Sequence, residues 1–347
     1  MSDFNYLNAR IRSSKKQILD TSAYEQLLGM ESLNQIKNWL LDSPRGMDIQ
    51  EGIAAKDGSE GLETGLSKHM ERTYKRLLDW AGEDAKPLIE AILRRWDVHN
   101  IKTLIRGKYA GTSEVELLSA CMPACDFTWE ELGELAKQST VRDLVNLLLT
   151  WNTNFKRPIL KHQELIANGD REALTALEFA LDNYYYELGT THAEELAQDA
   201  EAVIYLLNME ADIANILTVL RLLGLEERDK IKSFLINGGH LGLATMHNLI
   251  YAPTRGDVLE KLRSTYLGRA ISKLEVAQPE LSDIERAFHS IVDKFALTAG
   301  GDDPLSIGVA INFIWRKQAE FTNLRLIIKS KAFGFSRAQI ERELVHG

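Results

Sequence analysis

The sequence predicts an all-α protein made of three like helical bundles, and three observations carry that prediction. Apolar residues recur at three- and four-residue spacing along nearly the whole chain, while alternating apolar and polar runs are absent. One short pattern occurs three times. A second pattern precedes it each time at a nearly constant distance. Self-similarity of this kind marks an array of like units.

The principal pattern is an acid, an Asn three residues on, an aliphatic next, two more aliphatics at Asn+4 and Asn+5, and a base at Asn+6. Its copies run from Asp97 through Asn100 to Arg106, from Asp212 through Asn215 to Arg221, and from Glu320 through Asn323 to Lys329. The copies lie roughly 110 residues apart, a long period for an array. On a helix the aliphatics form one stripe. The acid and the Asn are neighbours on one face, and the base flanks the stripe.

The second pattern runs from Ser32 through Gln35 and Ile36 to Leu40, from Thr140 through Asp143 and Leu144 to Leu148, and from Thr254 through Asp257 and Val258 to Leu262. Each copy opens on a hydroxyl suited to an N-cap, with a side chain three residues later able to reach back. Ile36 to Asn100 is 64 residues, Leu144 to Asn215 is 71, and Val258 to Asn323 is 65. Units at 1–111, 112–224 and 225–347 follow, with boundaries at Gly111-Thr112 and Gly224-Leu225.

Helix-end chemistry delimits the motif helices. The first is expected to open with Pro87 and end at Gly111. The second is expected to open on a capping box of Thr191 and Glu194 and end at Gly224. The third should start at Asp303-Pro304 and end before Gly334. The glycine-rich segment from Gly52 to Gly65 reads as an exposed loop, and Ala299 to Pro304 as a turn into the last motif helix. Gly107 weakens the first motif helix by up to about 1 kcal/mol relative to Ala.

Composition narrows the function. The 347 residues are 45% hydrophobic and 26% charged, as in ordinary globular proteins. A net charge of −9 argues against nucleic acid, whose binding rests on Lys and Arg. Cys121 and Cys125 read as reduced thiols, with no second pair to complete a zinc site. The N-terminus carries no apolar signal region. The nearest approach to a membrane span, Val203 to Leu225, is interrupted by Glu210, Asp212 and Arg221. No phosphate-loop sequence occurs, and Gly238 to Gly242 reads as a turn between helices. The histidines lack metal-ligand spacing, and Asp302-Asp303 reads as a cap. No cofactor, metal or catalytic group is expected.

Two readings of the repeated polar residues stand side by side. They can bond a neighbouring helix or the loop that closes each unit, since buried polar groups need partners. They can also line a shared surface that holds a partner. The candidates are Asp97, Asn100, Arg106, Asp212, Asn215, Arg221, Glu320, Asn323, Arg325 and Lys329.

The repeated pattern resembles the C subunit of archaeal and bacterial A/V-type rotary ATPases, equivalent to the d subunit of vacuolar ATPases. Tyr6-Leu-Asn-Ala9-Arg10-Ile-Arg12 is similar to the family's opening Tyr-x-x-Ala-Arg-x-Arg. Glu320-x-x-Asn323-Leu324-Arg325-x-Ile327 is similar to its C-terminal signature, and the likeness runs from about residue 5 to 340. Lys329 stands where the other copies have Arg, and Arg325 is placed to share its role. The resemblance implies a funnel of three helical bundles around a pseudo-threefold axis. It implies a non-catalytic rotor coupling whose partners are the central shaft and the membrane proteolipid ring, on the cytoplasmic face, with no direct nucleotide binding. Two other classes remain in view. A generic helical-repeat adaptor would have units of about 34–47 residues. An all-helical metal-dependent enzyme would need clustered aspartates on facing helices.

Overall fold

The computed structural model describes residues 4–151, 153–167, 171–194, 200–274 and 279–344. Among the described residues the secondary structure is helical, without a strand. The first third of the chain runs α1 (Asn5–Lys15), α2 (Thr21–Gly29), α3 (Leu33–Leu41), α4 (Gly46–Ala55), α5 (Gly58–Trp80) and α6 (Ala85–Ala110). The middle third runs α7 (Glu114–Ala120), α8 (Trp129–Lys137), α9 (Val141–Thr150), α10 (Lys156–Ala167), α11 (Arg171–Glu194) and α12 (Glu201–Arg221). A 3₁₀ helix (Arg228–Phe234) follows. Then come α13 (Leu243–Ile250), α14 (Arg255–Leu262), α15 (Gly268–Ile271), α16 (Leu281–Thr298), α17 (Gly308–Ala332) and α18 (Arg337–Glu343).

The three copies of the principal pattern lie on α6, α12 and α17. The three copies of the second pattern open α3, α9 and α14. Ser32 with Gln35 and Thr254 with Asp257 form capping boxes, and Thr140 accepts from the Asp143 N–H at 3.1 Å. The C-terminal ends of two motif helices also follow from glycine: Gly111 caps α6 at φ 74°, and Gly334 lies beyond α17 at φ 74°.

The helix starts depart from expectation. Pro87 is the third residue of α6, and α17 opens at Gly308, after the Ala299–Pro304 turn. Thr191 lies in the last turn of α11, so it cannot cap α12, which starts at Glu201 after Ala200. The Glu194 side chain lies outside the described residues. A hydroxyl followed by an acid three residues later fits a helix interior as well as a start, and the long α11 takes it.

The Gly52–Gly65 segment is a correction of another kind. Most of it is helix, with Lys56 and Asp57 joining α4 to α5. A Cβ on Gly52 would stand 2.3 Å from the Gly61 carbonyl oxygen, and one on Gly65 2.7 Å from Ile49 Cα. These glycines serve backbone-to-backbone contact between two antiparallel helices. Sequence reading takes clustered glycine as a loop signal because it cannot see the second helix. Gly107 meets a side chain instead of backbone: a Cβ there would stand 2.0 Å from Leu117 Cδ2 on α7.

Buried side chains from Phe4 to Ile340 form one contiguous apolar cluster. The motif helices sit inside it. α17 buries Val309 to Trp315, Phe321, Leu324, Ile327 and Ile328, which cover almost its whole circumference. By length and composition α12 does meet the requirement for a bilayer span, against the sequence expectation, and 67% of its most apolar stretch is buried. Packing against α11 and α16 covers it, as for the interior helix of a bundle.

Candidate functional site

The polar groups of the motif helices hold loops. Asn100 makes two bonds to one backbone residue: Nδ2 donates to the Met122 carbonyl at 2.7 Å, and Oδ1 accepts from the Met122 N–H at 2.9 Å. Asp97, one turn earlier, accepts from the Asp126 N–H at 3.0 Å and the Cys125 N–H at 3.5 Å. Both side chains are fully buried. The loop they clasp joins α7 to α8, and its turn geometry leaves these backbone groups without partners in a helix.

The second motif repeats the arrangement. Asn215 donates to the Ile236 carbonyl at 2.9 Å and accepts from its N–H at 2.7 Å. Asp212 accepts from the His240 N–H at 2.8 Å, the Leu241 N–H at 3.1 Å and the Tyr266 hydroxyl at 3.1 Å. Gly239 passes over this carboxylate at φ 101°. A Cβ there would stand 2.1 Å from Asp212 Oδ1, so both backbone angle and space demand glycine.

At the third motif, Glu320 Oε2 accepts from the Leu19 N–H at 2.8 Å, in the segment joining α1 to α2. Its other oxygen holds Arg45 Nη2 at 2.6 Å and Lys317 Nζ at 3.0 Å, all three side chains being buried. Arg45 also donates to the Gln17 carbonyl at 3.0 Å, and Asn323 shares a side-chain hydrogen bond with Tyr24. The last motif helix is thereby fastened to the beginning of the chain.

The bases obey the same order. Arg106 forms a bidentate pair with Glu178 on α11, and Arg221 pairs with Glu285 on α16 at 3.2 Å. Lys329 pairs with Glu63 on α5 at 3.3 Å. Arg325 also takes Glu63, at 3.2 Å, and donates to the Ser119 carbonyl. Each Asn+6 base thus reaches a glutamate on a long helix, and the third reaches back to the first third of the chain.

Electrostatics separate the three acids. Burial pushes the Asp97 carboxyl well above the ordinary range, and the nearby Asp126 carboxylate adds to it. Burial also raises Asp212, against the bonds from Leu241, His240 and Tyr266. Burial acts upward on Glu320 too, but Lys317 and Arg45 outweigh it and hold its carboxyl below the ordinary range. Lys317 is itself lowered by burial.

Asp97, Cys125 and Asp126 bring donor atoms within 4.8 Å of one another. The Asp97 oxygens are committed to two backbone N–H groups, and Asp126 receives Asn154 Nδ2 at 2.9 Å. Burial keeps the Cys125 thiol protonated and raises Cys121 to about 12. Both cysteines are free thiols. The cluster is spent on the fold.

Two hollows lie among the motif helices. One, of about 510 Å³, is walled by α6, α11, α12 and α16, and its lining combines Phe179, Phe234 and Leu217 with Lys102, Arg106 and Arg221. The other, of about 450 Å³, lies between α6, α16 and α17, with Trp96, Trp315 and Val292 in its wall. Arg95, Glu210 and His289 face both. Sequence reading missed Arg95, Glu210, Arg45 and Lys317. The first two stand two residues before a motif acid, a position at which the copies differ in chemistry; Lys317 stands three residues before its acid, as Arg94 does in the first copy, and Arg45 carries no repeated signal.

Comparison with known proteins identifies relatives over nearly the whole chain. The chain is 27% identical to the C subunit of the A-type ATP synthase of Methanosarcina mazei, over 99% of this chain and 93% of that one. It is 27% identical to the corresponding A-type C subunit of Haloquadratum walsbyi, over 99% of both. It is 27% identical to the C subunit of the V-type ATP synthase of Deinococcus radiodurans, over 99% of this chain and 91% of that one. The ATP synthase (C/AC39) subunit family matches residues 7–343, nearly the entire length, and the chain belongs to that family.

Proposed function

We propose that this chain is the central-stalk rotor coupling of an A/V-type ATPase. In this reading it is a non-catalytic socket at the cytoplasmic face of the membrane. It holds the lower end of the central shaft on one side and rests on the proteolipid ring on the other. It passes torque between them, whether the complex consumes or makes ATP, and binds neither nucleotide nor nucleic acid itself. The units 1–111, 112–224 and 225–347 are arranged as three bundles about a pseudo-threefold axis, which gives the funnel.

The observation that carries the reading is the cyclic order of partners. Asn100 on α6 clasps the loop after α7, and Asn215 on α12 clasps the loop after the 3₁₀ helix. Glu320 on α17 closes the circuit at Leu19, after α1. The pairs Arg106–Glu178, Arg221–Glu285 and Lys329–Glu63 run round the same circuit. A chain whose last unit holds its first has no free end along the circuit. Close-packed helices locked in this way are stiff, which torque transfer requires. The hollows between the motif helices are lined by apolar and charged side chains together, suited to a helical shaft end. The generic-adaptor reading lacks such support, because adaptor arrays stack in an open line.

The test is affinity capture of the tagged chain from detergent-solubilised membranes, with mass identification of what comes with it. Shaft subunits and proteolipid ring are expected together in stoichiometric amount. Capture of the ATPase head or a peripheral stalk without either would overturn the rotor assignment.

A further inference from the structure

Arg95 on α6, Glu210 on α12 and Gln318 on α17 each stand two residues before a motif acid. The three side chains meet. Arg95 Nη1 donates to Glu210 Oε1 at 2.9 Å, and its Nη2 donates to Gln318 Oε1. Gln318 Nε2 goes on to the Tyr74 hydroxyl of α5 at 3.0 Å. The guanidinium carbon lies 4.0 Å from the ring centroid of Trp315 on α17 and 5.6 Å from that of Trp96. Trp315 is in turn fastened to α16, where Asp293 Oδ1 accepts from its Nε1 at 3.1 Å.

We infer that Arg95 is an axial lock: a single guanidinium that ties the three motif helices together at corresponding positions and sets their separation around the two hollows. It is a positioning residue. Four features support this. Arg95 and Glu210 face both hollows, so their ion pair lies at the partition between them. The three corresponding positions hold a cation, an anion and an amide, which can satisfy one another, whereas three identical charged residues would repel. The planar fork of Arg bonds two helices while its face stacks on Trp315, and Lys has neither the fork nor the plane. Among the described residues Arg95 Nε is buried without a partner, so the side chain is not placed to maximise its own hydrogen bonding. Its position is explained by the helices it joins.

The lock itself stands without the rotor reading; only its effect on the shaft seat rests on it. The experiment therefore has two arms. In the first, amide hydrogen exchange is followed on the purified chain for wild type, R95M and R95K. With R95M, exchange should speed at least tenfold in α6, α12 and α17 around residues 95, 210 and 318, and stay unchanged in α13 and α14. With R95K, protection should return on α12 through Glu210, but not on α17, where the fork and stack are lost. Unchanged exchange, or a uniform rise in every helix, overturns the lock. Should R95M not fold, Q318A provides the same comparison on α17 alone. In the second arm, the assembled complex carrying R95K is reconstituted in vesicles. Ion transport per ATP hydrolysed should fall at least threefold, while hydrolysis itself changes less than twofold. If exchange responds as expected but the wild-type chain binds no shaft subunit, the rotor reading fails and the lock stands.

Discussion

The clasps at α6 and α17 are written with the same sequence pattern and solve the same mechanical problem by opposite electrostatics. At α6, Asp97 is sealed from water with two backbone N–H partners and a second carboxylate nearby. Its charge is a liability. At α17, Glu320 is equally buried but lies between Arg45 and Lys317. Its charge is what makes two buried cations tolerable. The extra methylene of Glu sets the carboxylate farther from the helix, between the Leu19 N–H and both cations. One pattern can therefore fix one kind of contact while its surroundings decide whether ionisation helps or harms the fold.

That contrast breaks most severely on removal of Glu320. E320A leaves Arg45 and Lys317 buried without their carboxylate, at a cost of about 3–5 kcal/mol. Urea unfolding of the purified chain should show it, and a loss below 1 kcal/mol would mean the cations find other partners. Next in size come N100A and N215A. Each orphans a buried N–H and carbonyl of one loop residue, at about 2–3 kcal/mol. The two losses should match within 1 kcal/mol, because the clasps share their geometry. G239A should cost a comparable amount, about 1–3 kcal/mol, from its backbone angle and its collision with Asp212.

The pH dependence sharpens the same comparison. The folded state raises the Asp97 carboxyl above its unfolded value. Its contribution is therefore complete in acid, below the unfolded pKa, and is lost as pH rises through the folded one. Glu320 is lowered in the folded state. Its contribution is present above the unfolded pKa and is lost as pH falls through the folded one. D97N should cost about 1 kcal/mol or less at pH 7 and flatten the stability curve on its alkaline side. E320Q should flatten it on the acid side. Identical changes in both profiles would contradict the distinction. Smallest of all, R221A removes a half-exposed pair with Glu285 and should cost less than about 1 kcal/mol.

Much of the fold was legible because its signals are local. The hydroxyl caps at Ser32, Thr140 and Thr254, and the stop at Gly111, depend on residues within one turn. The motif spacing likewise placed acid and Asn on one buried face. What escaped was set by partners distant in sequence. Gly52, Gly61 and Gly65 look like a loop until α4 is laid against α5. Arg45 and Lys317 look like surface charges until they meet Glu320. Arg95, Glu210 and Gln318 differ in chemistry, so a search for identical residues passes over positions whose value lies in being complementary.

The most direct measurement of the coupling assignment is ATP-driven ion uptake in vesicles whose ATPase has been stripped of this chain. Hydrolysis by the head should continue while uptake stops, and adding the purified chain back should restore uptake. Uptake that persists at full yield without the chain would contradict the account.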